Sequence, residues 1–229
     1  MRIEWPTLVL ICACYAVFAA ALIWIAPWSQ SVAIMAMALT IALHASLQHE
    51  VLHGHPFGDR RLGEPLVFAS LNLAIPYIRF RDTHLAHHMD ARLTDPYDDP
   101  ESNYLDPATW DRLPGAVRAV LKANNTLLGR MVLGPALGQG LFLLAEWRAF
   151  RAGTPGVAAV WAAHLVCSAA ILGLVAASPM PVWAYLIACY IGLSILKIRT
   201  FLEHQAHDRA RGRTVIIEDR GPLAFLFLN

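Results

Sequence analysis

Residues 31–53, SVAIMAMALTIALHASLQHEVLH, join an apolar run directly to a pair of histidines. Residues 31–48 contain no Asp, Glu, Lys or Arg, as expected of a helix that crosses a bilayer. His49 and His53 follow at once, four positions apart, so a helix that continues past the run carries both on one face. The stretch therefore predicts a membrane helix that ends in two imidazoles at the membrane surface.

Three further apolar runs support a membrane setting, namely residues 7–26, 156–177 and 181–198. Hydrophobic residues make up 57% of the chain and charged residues 15%, unlike the average soluble domain. The last run reaches spanning length only through Lys197, whose long side chain can extend toward the headgroups. We therefore predict an all-α integral membrane protein with four transmembrane helices.

The distribution of positive charge predicts the orientation. All 18 Lys and Arg lie outside the two predicted hairpin tips, residues 26–31 and 177–181. Under the positive-inside rule both termini and residues 49–155 are cytoplasmic, and residues 49–155 form a helical cap that carries the first two histidine clusters. We expect one domain over residues 1–229 in a bacterial inner membrane. The net charge of +1 argues against a nucleic-acid partner.

Two apolar stretches between the second and third runs are harder to assign. Residues 65–78 are too short to span and contain Pro76, and residues 127–145 contain Arg130 and a Gly134–Pro135 break. If either stretch alone crossed the membrane, the histidine clusters on its two sides would lie on opposite faces. We predict that both form interfacial or re-entrant helices at the cytoplasmic face.

Two further polar clusters accompany His49 and His53. HLAHH at residues 84–88 places three imidazoles at i, i+3 and i+4, and a partial cluster follows the last apolar run. Neutral imidazole is the commonest protein ligand for metals such as zinc and iron, and five histidines in two clusters exceed what one tetrahedral site needs, so two metal ions are expected. The predicted ligands from all three clusters are His49, His53, His84, His87, His88 and His207, with His204 and Glu203 as possible ligands or partners of ligands.

Two other functions are compatible with parts of this pattern. His49, Glu50 and His53 also read H-E-x-x-H, the motif of zinc metalloproteases, with Glu50 as general base; this reading leaves the second cluster without a role. A non-enzymatic metal-binding or transport protein would place ionisable groups opposite each other inside the bilayer. His44 and His164 are the candidates, and such residues are more often buried histidines that hydrogen-bond to a neighbouring helix.

The chain resembles the integral-membrane fatty acid desaturases and their hydroxylase and ketolase relatives. The resemblance rests on HEVLHGH (49–55), HLAHH (84–88), TDPYDDPESNY (94–104) and RTFLEHQAH (199–207). It implies a four-span helical fold whose cytoplasmic cap holds two iron ions at the predicted ligands. It also implies O2-dependent oxidation of an acyl C–H bond, which introduces a double bond in lipid metabolism or, in the relatives, a hydroxyl or keto group.

The resemblance also implies the partners. The substrate would be an acyl lipid, an acyl-CoA or an acyl group on a carrier, taken from the membrane. Electrons would come from a separate ferredoxin-type or cytochrome-type donor and its reductase.

One part of the family pattern is missing from this sequence. In the family a third H-x-x-H-H box follows a segment similar to RGPLAFLFLN (220–229), where this sequence ends. Up to three ligands are therefore absent, and we expect the C-terminus to be incomplete. We expect the 229-residue chain to bind iron weakly or incompletely and to have little activity. Two tightly held iron atoms per purified chain would contradict this expectation.

Overall fold

The structure of the protein, a computed structural model, describes residues 3–89, 105–203 and 221–228. Within these residues every regular element is a helix, which confirms the predicted all-α fold. The first helix contains a π-helical turn at Ala21–Ile25. The helices in the described ranges are α1 (Trp5–Trp28), α2 (Gln30–Leu52), α3 (Arg60–Val67), α4 (Tyr77–Met89), α5 (Pro107–Arg112), α6 (Gly115–Asn124), α7 (Leu127–Arg151), α8 (Val157–Ala176), α9 (Val182–Glu203) and α10 (Pro222–Phe227).

Five helices of the described residues are long and apolar enough to cross a membrane: α1, α2, α7, α8 and α9. Four of them cover the predicted spans to within one residue at each end. The fifth, α7, is a continuous helix through Pro135, so the sequence signals that argued against a long helix did not prevent one. The guanidinium of Arg130 is buried and donates to the carbonyl oxygen of Asn124 at 2.9 Å and to Asn125 Oδ1 at 3.3 Å. The predicted count of four spans is therefore not confirmed.

Residues 65–78 do not form the single interfacial or re-entrant helix that we predicted. Helix α3 ends at Val67, residues 68–76 are irregular, and α4 begins at Tyr77. The Oδ1 atom of Asn72 accepts hydrogen bonds from the backbone N–H groups of Ala74 at 2.8 Å and Ile75 at 3.2 Å. Such a side-chain turn competes with helix formation, and Pro76 then cannot donate a helical hydrogen bond.

The irregular segment, which we call the 68–76 loop, lies inside the protein. Ser70, Leu71 and Asn72 are buried. Because buried backbone groups need partners, this loop is stable only where side chains reach its carbonyl oxygens. Each candidate membrane helix supplies at least one donor to the loop or to the last turn of α3: Tyr15 to Leu66 O (2.6 Å), Gln48 to Val67 O (2.9 Å), Gln139 to Ala74 O (2.7 Å), His164 to Leu73 O (3.2 Å) and Tyr185 to Leu71 O (2.5 Å).

Helices α2 and α9 pack against each other at very short range and run in the same direction. Gln30, at the start of α2, donates to the carbonyl oxygen of Pro179, just before α9. Further along, a Cβ atom built on Gly192 would lie 2.8 Å from Ile41 Cγ2 and 3.0 Å from the carbonyl oxygen of Ala38. Small residues allow such close contact between membrane helices. The absence of a side chain at Gly192 therefore permits the observed packing.

We expect Gly192→Ala to destabilise the protein by roughly 1–3 kcal/mol, because the added methyl group overpacks the contact with α2. Gly173→Ala on α8 is the matched control. A Cβ at that position meets nothing within 4 Å, so the better helix propensity of alanine should leave stability equal or higher. Thermal unfolding of the two variants in detergent measures the difference. An unchanged melting temperature for Gly192→Ala would contradict the packing argument.

Candidate metal centre

The first two predicted ligands lie at the C-terminal end of α2. His49 is in the last turn of the helix, and His53 caps it, with its backbone N–H bonded to the carbonyl oxygen of Glu50 at 3.1 Å. Gly54 follows with φ +105°, a conformation that glycine adopts readily and that turns the chain away from the helix axis. The helix end therefore presents both imidazoles next to each other.

Helix α4 adds a third imidazole. The ring centroid of His84 is 4.7 Å from that of His49 and 5.7 Å from that of His53, and the His49 and His53 centroids are 4.7 Å apart. Phe80, one turn earlier on α4, stacks on His84 with a centroid distance of 5.6 Å and an interplanar angle of 29°. The structure thus brings one histidine of the second cluster to both histidines of the first.

These three side chains fit a metal ion. Each offers one ring nitrogen, and the three nitrogens lie within 4.8 Å of one another. Nitrogens bound to a single ion at about 2.1 Å are roughly 3–4 Å apart, so small side-chain rotations would complete the geometry. Three neutral imidazoles suit borderline metals such as iron or zinc, and they leave coordination positions open for other ligands.

Glu50 determines which nitrogen of His49 is free to bind a metal ion. Its Oε1 atom lies 3.3 Å from His49 Nδ1. Because a carboxylate oxygen can only accept, Nδ1 carries the proton and Nε2 keeps the lone pair that a metal needs. The other carboxylate oxygen of Glu50 lies 3.8 Å from His55 Nε2, and His55 Nδ1 in turn contacts Glu4 at 2.5 Å. Glu50 therefore serves as the hydrogen-bond partner of a candidate ligand.

Two arginines that sequence reasoning did not single out hold α4 in place. Arg79 forms an ion pair with Glu146 on α7 at 2.6 Å, and Arg81 pairs with Glu64 on α3 at 2.9 Å. Burial acts to lower the pKa of Arg81, but the hydrogen bonds to Glu64 and Asp82 outweigh it, so the pKa is raised. The sequence contains no local signal for Arg79, because its partner is 67 positions away.

Other predicted site residues have no described side-chain geometry. His87 and His88 lie on α4, which confirms that the second cluster is helical, but their side chains are not described. Glu203 is the last residue of α9, again without a described side chain, and His204 and His207 lie outside the described residues. Their contribution to the site stays a prediction.

The two histidines inside the apolar runs do not join the cluster. His44 is buried, and its Nε2 atom lies 3.2 Å from the hydroxyl of Tyr15 on α1. His164 is also buried and bonds to the carbonyl oxygen of Leu73 in the 68–76 loop. The interpretation of His44 as a buried histidine bonded to a neighbouring helix is confirmed, whereas the partner of His164 is the loop.

We expect His49→Ala to weaken metal binding severely, because it removes one of three clustered nitrogens. The loss of affinity should exceed the roughly 10- to 100-fold that follows from removing a hydrogen-bond partner of a ligand. His55→Ala is the matched control, since this imidazole lies just past the end of α2 and outside the group of three. Co2+ titration of the purified chains, followed by visible absorption, measures both. Equal affinities for the two variants would rule out a metal site at His49.

The comparisons with known proteins agree with this arrangement. A family model described as fatty acid desaturase matches residues 22–229, which include His49, His53 and His84. No match was found among curated proteins, and none among solved structures. Because the family model covers most of the sequence, the chain belongs to the fatty acid desaturase family.

Proposed function

We propose that the protein is a membrane oxidoreductase that uses O2 and a histidine-bound di-iron centre to introduce a double bond into an acyl chain. The observation that carries the proposal is the convergence of His49, His53 and His84 at the end of an apolar helix, in a chain of the desaturase family. A hydroxylase or ketolase reaction on a lipid is the related alternative. The bound iron pair would supply the oxidising power for cleaving an unactivated C–H bond.

The chain's own residues have separable roles in this proposal. His49, His53 and His84 would hold one of the iron ions, and Glu50 orients His49 through its Nδ1 proton. The second ion would be held by the remaining predicted ligands, whose side chains are not described: His87, His88 and His207, with His204 or Glu203.

The location of the cluster favours a lipid substrate. The three histidines lie at the end of α2, whose preceding residues are apolar and suited to the bilayer. An acyl chain can therefore approach them without leaving apolar surroundings, which would also keep water away from the reaction. Forming the double bond removes two hydrogens from adjacent carbons. These two hydrogens, together with two electrons and two protons from a separate ferredoxin-type or cytochrome-type donor system, reduce O2 to two water molecules.

We further propose that α1, α2, α8 and α9 cross the membrane and that α7 is not a single crossing. Glu146, near the end of α7, contacts both Arg79 on α4 and Trp161 at the start of α8. Since Arg79 lies five positions before His84, these contacts favour a start of α8 on the same side as the histidine cluster. The chain would then cross an even number of times between α2 and α8.

Within the described residues between 54 and 126 no helix is long enough to pair with α7 as a second crossing. The distribution of Lys and Arg assigns the histidine side to the cytoplasm. Labelling of Thr154→Cys, in the α7–α8 turn, by a membrane-impermeant thiol reagent added outside intact cells would contradict this topology.

The reaction is tested by lipid analysis. We expect cells that express the chain with an electron donor system to form acyl chains that have lost two hydrogens, in small amounts because up to three ligands of the third histidine box are absent from this sequence, and His49→Ala to abolish them. Acyl chains that gain an oxygen atom would instead identify the hydroxylase alternative. Mass spectrometry of total fatty acids distinguishes the two products. A wild-type profile identical to that of His49→Ala, with iron bound to the wild-type chain, would contradict both reactions.

Glu50→Gln separates the proposal from a zinc metalloprotease. In a protease this change removes the general base and abolishes peptide cleavage. In the proposed site the amide oxygen of glutamine can still accept the proton of His49 Nδ1, so iron binding should persist. Loss of a peptidase activity in Glu50→Gln, with no change in acyl chains, would favour the protease.

A further inference from the structure

The ion pair between Arg79 and Glu146 is well formed and mostly buried. The Nε atom of Arg79 lies 3.0 and 2.9 Å from the two carboxylate oxygens, and one terminal nitrogen donates to Oε1 at 2.6 Å. Glu146 is only 5% exposed. A buried carboxylate is costly unless its oxygens are paired and hydrogen-bonded, so Glu146 depends on Arg79.

A second helix joins the same carboxylate. The indole Nε1 of Trp161 on α8 donates to Glu146 Oε2 at 2.8 Å. Glu146 itself is on α7, so one carboxylate connects α4, α7 and α8. We call Arg79, Glu146 and Trp161 the Glu146 clamp. It gives the histidine-bearing helix a fixed attachment to two of the candidate membrane helices.

Helix geometry relates this clamp to His84. Residues five positions apart on an α-helix are about 7.5 Å apart along the axis and about 140° apart around it, so Arg79 and His84 point to different sides of α4. Arg81 is about 200° from Arg79 and binds Glu64 on α3, on the opposite side of α4. Held from two sides, α4 cannot rotate by one residue, about 100°, which would turn His84 away from His49 and His53.

We infer that Arg79 is a positioning residue that, through Glu146 and Trp161, fixes the rotation of α4 and so brings His84 to the metal site. The inference rests on the proposed function of His49, His53 and His84 as metal ligands. Phe80 has a different role, because its stacking on His84 orients the ring and not the helix. Truncating Arg79 leaves the indole N–H of Trp161 as the one donor of the clamp to Glu146. The carboxylate is then more stable if it moves toward solvent, and α4 loses its attachment to α7 and α8.

The test is Co2+ binding to the full chain in detergent, measured by visible absorption at a temperature where every variant retains its wild-type helix content. We expect Arg79→Gln and Glu146→Gln to weaken Co2+ affinity by roughly 10- to 100-fold, as for other residues that orient metal ligands. Arg79→Lys keeps the charge but loses the two-pronged contact, so its affinity should lie between those of wild type and Arg79→Gln. Trp161→Phe should have a smaller effect of the same sign.

Two controls separate positioning from simple loss of charge or stability. Arg148→Gln removes an exposed arginine from α7, two residues after Glu146, and should leave affinity unchanged. Met37→Ala removes a fully buried side chain from the core formed by α1, α2, α8 and α9. It should lower the melting temperature without changing the Co2+ affinity. A positioning role predicts a loss of affinity and an altered Co2+ spectrum in the clamp variants only.

The outcomes distinguish this inference from the proposed function. If the wild-type chain shows no Co2+ affinity that depends on His49, the proposed metal centre is wrong. If the wild type binds Co2+ but Arg79→Gln binds it equally well and with the same spectrum, the positioning role is overturned. Should Arg79→Gln fail to fold, Arg79→Lys and Trp161→Phe decide in its place, and wild-type affinity in both would overturn the role.

Discussion

Hydrogen bonding of the 68–76 loop is the constraint on which the rest of the structure depends. An irregular backbone among apolar helices has no water to satisfy it, so its carbonyl oxygens must find donors in the protein. Each of the five long apolar helices contributes at least one side chain to the loop or to the turn before it. Since α4 begins directly after the loop, the same hydrogen bonds determine where the second histidine cluster starts.

The parts of the fold that were predicted from the sequence have local causes. The apolar run of α2 and the four-residue spacing of His49 and His53 need only helix geometry to be interpreted. The 68–76 loop was missed because its stability comes from partners far away in the chain, such as Tyr185, which is 114 positions from Leu71. The continuity of α7 through Pro135 was not predicted either, and Arg130 near the start of this helix is accommodated by the carbonyl oxygen of Asn124.

The candidate site shows the same division. Histidine spacing predicted that the imidazoles within each cluster share one helix face, and the structure brings His49, His53 and His84 together. The residues that hold α4 were not predictable in this way. Arginine and glutamate are common on exposed helix faces, and no periodic pattern links Arg79 to a carboxylate on α7. Only tertiary packing reveals that this particular pair is buried.

The close contact at Gly192 has a mechanical consequence. Two helices that touch through backbone and methyl groups, with no long side chain between them, cannot slide past one another without breaking that contact. A change in bilayer thickness would then tilt α2 and α9 together as one rigid pair. Their C-terminal ends would keep the same relative height, so the distance between the first histidine pair and the end of α9 would be insensitive to the lipid composition of the membrane.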